Sequence, residues 1–263
     1  MEFQTIMYQV CQGVGTLTLN RPTTLNSFNS QMHEEVKVAI KNARTSSLVR
    51  CLVITGEGRG FCAGQDLGDR AAKVSDEGPS LGDSLEKYYN PLIRAIMTME
   101  KPVICAVNGV AAGAGASIAL ACDIVVAARS AKFVQAFSKI GLVPDSGGTF
   151  NLPRSVGLPR AKALAMLGDK LSAEQAEKWG MIWQCVDDDV LMEEVMSLAQ
   201  RLAAAPPLGL AMTKKLLNES FSNPLHQQLE LEKEAMNWLG KTEDYQEGVS
   251  AFMEKRQATF IGK

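Results

Sequence analysis

Short apolar runs alternate with helical patterns over the first two thirds of the chain. Residues 103–107 and 123–127 are almost entirely apolar, whereas residues 1–20 alternate apolar and polar positions. Compact apolar runs are typical of buried strands, and alternation is typical of strands with one solvated face. We therefore predict a strand hairpin around Gln12-Gly13 and, further along, strands joined by helices in right-handed βαβ units.

Two helices are predicted on either side of a strand over residues 51–55. The first begins at Ser30, whose side chain suits an N-cap, and reaches about Ala43. Its His33 lies among charged neighbours, which favours a surface position over a catalytic one. The second helix covers residues 84–99.

The segment between these elements, residues 68–82, is polar, charged and interrupted by Pro79. Such a stretch is typical of a surface loop. We predict that it is a loop and a candidate lid over a binding site.

The last third of the chain has a helical pattern from Ser155 onward. Residues 202–207 contain two prolines and predict a boundary between a core, residues 1–205, and a helical region, residues 206–263. The amphipathic pattern of residues 208–256 fits either packing between subunits or a helical cap on the same monomer.

Composition restricts the class of protein. The 263 residues are 46% hydrophobic and carry a formal net charge of −2, which indicates a globular protein without a general affinity for nucleic acids. Six cysteines occur without close spacing, so reduced thiols in the cytoplasm fit better than zinc ligands or disulfides. No run reaches the length of a membrane span, and we expect no membrane partner.

Two turns rich in small residues follow predicted strands, and they are candidates for binding chemistry. One is Asn108–Ser117, which leads into a helix near Gly113, and the other is Gly56–Asp66. Small side chains let a ligand approach the backbone, and a helix N-terminus offers unpaired N–H groups to an anion or oxyanion. The alternative is a glycine turn that only packs a helix on a strand. A third strand-like run is predicted to end at residues 141–148, where Asp145 precedes a helix start.

These turns belong to a longer set of motifs in a fixed order. The set is Leu19-Asn-Arg-Pro22 with Asn26, Phe61-Cys-Ala-Gly-Gln-Asp66, Ala106-Val-Asn-Gly109 through Ala121-Cys-Asp123, Ala131-Lys-Phe133, Gly147-Gly-Thr149, Leu171-Ser-Ala-Glu-Gln-Ala176 and Glu247-Gly-Val-Ser-Ala-Phe252. Together they resemble the crotonase (enoyl-CoA hydratase/isomerase) superfamily over essentially the whole chain. Within it, the chain is most similar to the ring-epoxide isomerases of phenylacetate degradation, which convert 2-(1,2-epoxy-1,2-dihydrophenyl)acetyl-CoA to an oxepin-CoA.

The resemblance implies an α/β spiral of ββα units with a C-terminal helical region that packs between subunits of a homotrimer or a dimer of trimers. It also implies an acyl-CoA thioester as substrate, with no separate cofactor. The family stabilises a thioester enolate with two backbone N–H groups, which match Gln65 and Ala114. The binding positions that match the family are Thr23, Leu25, Ala63, Asp66, Leu67, Gly113 and Phe137.

One departure from the family pattern changes the expected reaction. Enoyl-CoA hydratases hold a water between two glutamates, and the matching positions here are Ser117 and Phe137. Hydration is therefore not expected. Asp145 matches an aspartate of some family isomerases, and we predict that it is the single acid–base group. Without the resemblance, it would be interpreted as a helix-capping aspartate.

Three other classes of function compete. A serine hydrolase could use Ser117, Asp145 and His226, but the last glycine of G-x-S-x-G is absent. A dinucleotide site lacks its third glycine, because Ile118 stands there. A non-catalytic CoA-binding relative is the third alternative. Among enzymes, a ring-epoxide CoA, an aliphatic 3-enoyl-CoA and a didehydroadipyl-CoA remain open as substrates.

Overall fold

The computed structural model describes residues 3–68 and 80–263. In this part of the chain, strands form one sheet of six and one sheet of four. The strands are β1 Ile6–Cys11, β2 Val14–Leu19, β3 Cys51–Gly56, β4 Gly60–Cys62, β5 Val103–Val107, β6 Val110–Ala112, β7 Ile124–Ala128, β8 Lys132–Val134, β9 Lys170–Ser172 and β10 Gln184–Val186.

Helices cover the sheets and form the end of the chain. The α-helices are α1 Ser30–Thr45, α2 Leu81–Ser84, α3 Asn90–Met97, α4 Ala114–Ala121, α5 Gly148–Val156, α6 Leu158–Leu167, α7 Ala173–Lys178, α8 Leu191–Ala204, α9 Pro207–Ser220, α10 Leu225–Leu239 and α11 Glu243–Glu254. A π-helical turn, Leu85–Tyr89, joins α2 to α3. No helix within the described ranges is both long and apolar enough to cross a lipid bilayer.

The two sheets are built by successive turns of one spiral. The larger sheet has the order β1-β2-β3-β5-β7-β10, and the smaller one has the order β4-β6-β8-β9. Each consecutive pair, β3/β4, β5/β6 and β7/β8, therefore adds one strand to each sheet, and the pairings from β2 to β10 are parallel in the larger sheet. This is the α/β spiral expected from the resemblance, with the C-terminal helices following it.

The predicted hairpin is confirmed, because β1 and β2 pair antiparallel around Gln12 and Gly13. Other boundaries differ from prediction. Asn29, and not Ser30, is the N-cap of α1, since its side chain accepts a hydrogen bond from the Met32 N–H at 2.9 Å. The run before residue 141 is a 3-10 helix, Ala136–Ile140, and not a strand.

The region between residues 68 and 82 is only partly described. Ser80 is the N-cap of α2 in a capping box with Asp83, so the helix begins before the predicted Ser84 and the predicted loop is shorter at this end. Residues 69–79, and with them most of the candidate lid, lie outside the described residues.

The chain bends at Ala205, which is extended between α8 and α9. This bend lies at the predicted boundary between residues 1–205 and 206–263, although the division into two regions stays a prediction. Arg50 of the spiral ties the two sides together, because its guanidinium donates to the Ala205 oxygen at 2.9 Å and to the Phe260 oxygen at 2.7 Å.

A largely buried ion pair anchors α9 to the spiral. Lys214 Nζ lies 2.8 Å from Asp123 Oδ2 and also donates to the Ile96 oxygen at 2.8 Å. Asp123 in turn accepts a hydrogen bond from the Val103 N–H at 2.7 Å. Burial raises the pKa of the Asp123 carboxyl in spite of the nearby ammonium group.

We expect Lys214→Met to lower the free energy of unfolding by about 3 kcal/mol, because it leaves the Asp123 carboxylate buried without its counter-charge. Since the folded pKa of Asp123 is raised, the penalty is full at neutral pH and shrinks on acidification through that pKa. Urea unfolding at pH 7 and near pH 5 measures both effects. The double variant Asp123→Asn/Lys214→Met is the control and should recover most of the loss; equal stability of the single variant and the wild type would contradict the assignment.

Candidate active site

The turn after β4 presents the backbone N–H of Gln65. The Gly64 oxygen accepts a hydrogen bond from the Phe28 N–H at 2.7 Å, and the Asp66 N–H donates to the Phe28 oxygen at 2.9 Å. Carbonyl and N–H point in opposite directions across a trans peptide. The N–H of Gln65 therefore points away from Phe28 and is not used in this pairing.

The buried side chain of Cys62 also stabilises this turn. Its Sγ accepts a hydrogen bond from the Gly64 N–H at 3.4 Å, and the side chain is completely buried. Burial raises the pKa of the Cys62 thiol to about 12. The thiol therefore stays protonated at neutral pH and has a structural role in this turn.

The second turn presents the N–H of Ala114. Gly113 is the N-cap of α4, with φ +54°, and its oxygen accepts a hydrogen bond from the Ser117 N–H at 3.2 Å. The carbonyl of this peptide therefore points into the helix, and the Ala114 N–H points out of its N-terminus. First-turn N–H groups have no partner within a helix, and the helix dipole favours negative charge beside them.

The two turns meet at Gly64. A Cβ built on Gly64 would lie 3.0 Å from the Ala112 oxygen and 3.3 Å from the Ala114 nitrogen, and the φ of Gly64 is +87°. Glycine satisfies both the conformation and the close approach. The turns of Gln65 and Ala114, predicted to act together, are thus in contact, an arrangement that can stabilise an oxyanion with two N–H donors.

Asp145 lies in the turn that precedes α5, half-buried. Its Oδ1 accepts a hydrogen bond from Ser146 Oγ at 2.9 Å, and its main-chain oxygen accepts one from the Gly148 N–H at 2.8 Å. The N-cap of α5 is Gly147, with φ +76°. The capping role considered for Asp145 is therefore taken by another residue.

The Asp145 turn packs directly on α4. A Cβ built on Gly148 would lie 2.7 Å from Ser117 Oγ, and one on Gly113 would lie 3.8 Å from Phe137 Cζ. Ser117 is completely buried, and Phe137 is 7% exposed. The two positions that the resemblance matches to the hydratase glutamates thus contain a buried hydroxyl and an aromatic ring beside the N-terminus of α4.

The residues predicted to contact CoA lie on two adjoining segments of the chain. Leu25 adopts a left-handed conformation, and its oxygen accepts a hydrogen bond from the Ala63 N–H at 2.9 Å. Asp66 forms an ion pair with Arg21 at 2.9 Å, which joins the segments a second time. Thr23 and Leu67 are exposed at the two outer ends of this surface.

The prediction that His33 lies on the surface is wrong, because the side chain is 6% exposed. Its ring stacks on Tyr88 with centroids 4.7 Å apart and meets the Tyr89 ring edge-on at 4.6 Å. Both His33 Nε2, at 3.4 Å, and Tyr89 Oη, at 3.0 Å, contact Oε1 of Gln65.

These contacts fix the side chain of Gln65, whose Nε2 also donates to the Phe28 oxygen at 2.9 Å. A signal in the sequence pointed to His33, since it lies at helical spacing with Val36, Ile40 and Ala43, all of which are buried. Its charged sequence neighbours concealed this pattern.

The geometry disfavours a serine hydrolase. Ser117 is buried within α4, whereas His226 is exposed on α10. A nucleophilic serine of that class is presented at a strand-to-helix turn next to its histidine.

Comparisons with known proteins agree with this architecture. Residues 9–263 match the family model described as enoyl-CoA hydratase/isomerase. The 1,2-epoxyphenylacetyl-CoA isomerase of Escherichia coli K12 is 55% identical over 263 residues, with all of both chains covered. The 2,3-dehydroadipyl-CoA hydratase of the same strain is 36% identical over 252 residues, 96% of each chain. The crystal structure of an enoyl-CoA hydratase from Bacillus anthracis superposes with a TM-score of 0.92 at 30% identity, covering 99% of this chain and all of the other. The chain with the paired glycine turns therefore belongs to the enoyl-CoA hydratase/isomerase family, the crotonase superfamily, whose enzymes act on acyl-CoA thioesters.

Proposed function

We propose that the enzyme isomerises an acyl-CoA thioester with Asp145 as its single acid–base group. Asp145 removes a proton from the carbon next to the thioester carbonyl, and the enolate oxygen is stabilised by the N–H groups of Gln65 and Ala114. Asp145 then returns the proton further along the conjugated system. The observation that carries this proposal is the packing of the Asp145 turn on α4, where Ser117 and Phe137 replace the carboxylates that hydration requires.

The proposed substrate is 2-(1,2-epoxy-1,2-dihydrophenyl)acetyl-CoA, with an oxepin-CoA as product. The full-length similarity to the E. coli isomerase supports this choice. In the ring epoxide, the enolate electrons reorganise and open the bicyclic ring to the seven-membered oxepin. For a 3-enoyl-CoA, the same proton transfer gives the conjugated 2-enoyl-CoA. The reaction takes place in the phenylacetate pathway under this proposal.

CoA is part of the substrate in this proposal, and no separate cofactor or metal is invoked. We call the turns that present the Gln65 and Ala114 N–H groups the donor turns. The thioester lies over these two turns, with Gly113 and Phe137 beside the acyl group. The pantetheine and nucleotide follow the surface formed by Leu25, Ala63 and Asp66, with Thr23 and Leu67 at its ends.

The first test compares two substrates. We expect the purified protein to convert a 3-enoyl-CoA to the 2-enoyl-CoA and to add no water to crotonyl-CoA, because one base is sufficient for the first reaction only. Absorbance at the enoyl thioester band and product mass follow the two reactions. Efficient hydration of crotonyl-CoA would mean that a second carboxylate reaches the site, and the single-base mechanism would be wrong.

We further propose that the helical region 206–263 holds the protein in a homotrimer or a dimer of trimers. A broad apolar cavity of about 870 Å³ opens between α9, α10 and α11. On its rim, Phe252 is 82% exposed and Met253 is 75% exposed. Apolar side chains exposed together in this way are typical of surfaces that another chain covers.

Phe252→Glu is expected to dissociate the assembly at micromolar concentration, because it buries a charge in the apolar contact. Size-exclusion chromatography with light scattering measures the mass. Ser250→Glu is the matched control, since it adds the same charge to α11 about 200° around the helix. A monomeric wild type, or unchanged mass of the Phe252→Glu variant, would contradict the proposed interface.

A further inference from the structure

A second cavity lies between α1 and the segment formed by the π-helical turn and α3. Its volume is about 240 Å³. We call it the α1–α3 cleft. Its floor is apolar, because Val36 and Ile40 from α1 face Leu92 and Ala95 from α3. Val36 and Ile40 are almost completely buried and form the base of the floor, whereas Leu92 and Ala95 are half-buried and provide its accessible apolar surface.

The rim of the α1–α3 cleft carries one sign of charge. Lys37, Lys41 and Arg44 follow one another along α1, and Lys87 stands on the opposite wall. Among the described residues that line the cleft, none is acidic. Lys37 lies 3.9 Å from the exposed Glu34, whereas Lys41 and Arg44 form no ion pair within the described part of the chain.

An aromatic wall closes one end of the cleft. The Tyr88 ring stacks on the His33 ring at 4.7 Å between centroids, with 21° between the ring planes. Lys87 Nζ lies 4.9 Å from the centre of the Tyr88 ring. Because His33 contacts both Tyr88 and Tyr89, the π-helical turn is held against α1, and the aromatic wall is present without a ligand.

From this geometry we infer that the α1–α3 cleft is a binding site for a small carboxylate with an apolar body, such as an arylacetate. The apolar floor takes the ring, and the cations of the rim take the carboxylate. Sites for drug-sized ligands begin near 300 Å³. A cleft of about 240 Å³ therefore suits one ring with a short acid chain and not a CoA ester.

The binding experiment uses ¹⁹F NMR of 4-fluorophenylacetate titrated with the purified protein, with and without saturating CoA. We expect fast-exchange line broadening that CoA does not remove. The amide 4-fluorophenylacetamide, which keeps the ring and loses the charge, should bind about tenfold more weakly, because it loses the attraction of several cations on the rim.

Two variants localise the site. Lys41→Gln/Arg44→Gln should weaken binding about tenfold, and Ala95→Leu should weaken it comparably by filling the floor. Lys162→Gln/Lys178→Gln is the control, because it removes two exposed charges from other helices. A thermal melt establishes that each variant is folded.

Three outcomes would overturn the inference. The first is the absence of line broadening at a ligand concentration of about 10 mM. The second is equal binding of the acid and the amide. The third is binding that CoA abolishes while the rim and floor variants leave it intact. The last would assign the ligand to the donor turns. Because the readout is binding and not turnover, failure of this inference leaves the isomerase proposal untouched, and the reverse also holds.

Discussion

Asp145→Asn is expected to lower kcat for 3-enoyl-CoA isomerisation by about 10³-fold or more, while the affinity for CoA changes little. The amide cannot accept the proton that starts the reaction, and general-base catalysis contributes roughly 10²–10⁴-fold. The side chain keeps its size, and an amide oxygen can still accept the hydrogen bond from Ser146. Stopped-flow absorbance measures kcat, and calorimetry with acetyl-CoA measures binding.

A matched control is Asp169→Asn, which makes the same change at the turn after α6. This variant should retain wild-type kcat. Near-normal isomerisation by the Asp145→Asn protein would remove Asp145 from the mechanism and direct attention to other groups near the N-terminus of α4.

Gly64→Ala is expected to reduce kcat by about 10²–10³-fold, the range observed when one oxyanion donor is lost. The new methyl group would lie 3.3 Å from the Ala114 nitrogen and 3.0 Å from the Ala112 oxygen, at a φ of +87° that alanine disfavours. The two donor turns must separate or rotate. Turnover and binding of acetyl-CoA are measured together, because a lost oxyanion contact affects kcat more than the affinity for the ground state.

The control for backbone strain is Gly157→Ala. Gly157 also has a positive φ, +77°, but the nearest atom to its built Cβ is 4.0 Å away, on Pro159. Its variant should lose about 1 kcal/mol of stability and keep its kcat. If both glycine variants lowered kcat equally, the effect would be general destabilisation, and contact between the donor turns would not matter for catalysis.

The two small-residue turns could be located from the sequence because their signal is local, whereas the donor role of Gln65 and Ala114 came from the resemblance and stays a proposal. The small residues before Gln65 and Ala114 indicate that another part of the backbone or a ligand can approach closely there. The order of the motifs along the chain indicated the family. The spiral was accessible only through that resemblance, since no repeat is visible in the sequence. The strands β4, β6, β9 and β10, three residues each, were not predicted, because such short runs have no measurable periodicity.

Side-chain surroundings were harder to predict than backbone positions. The charged neighbours of His33 indicated a surface residue, yet tertiary packing against Tyr88 and Tyr89 buries it. The N-cap of α1 shifted by one residue because Asn29 and Ser30 are both good capping residues, and local sequence does not choose between them. The first error arises because tertiary contacts override the local pattern, and the second because two neighbouring residues are locally equivalent.

The orientation of the two N–H groups has a consequence for how such an enzyme can diverge. Each peptide is fixed through its own carbonyl, one by the Phe28 N–H and the other by the first turn of α4. Substitution of Gln65 or Ala114 by any residue other than proline alters a side chain and leaves the N–H in place. If these N–H groups stabilise the enolate as proposed, mutation can change the acids, bases and pocket walls at positions 117, 137 and 145 while that stabilisation is retained. A lineage built on this scaffold can change its reaction without passing through an intermediate that has lost the shared chemical step.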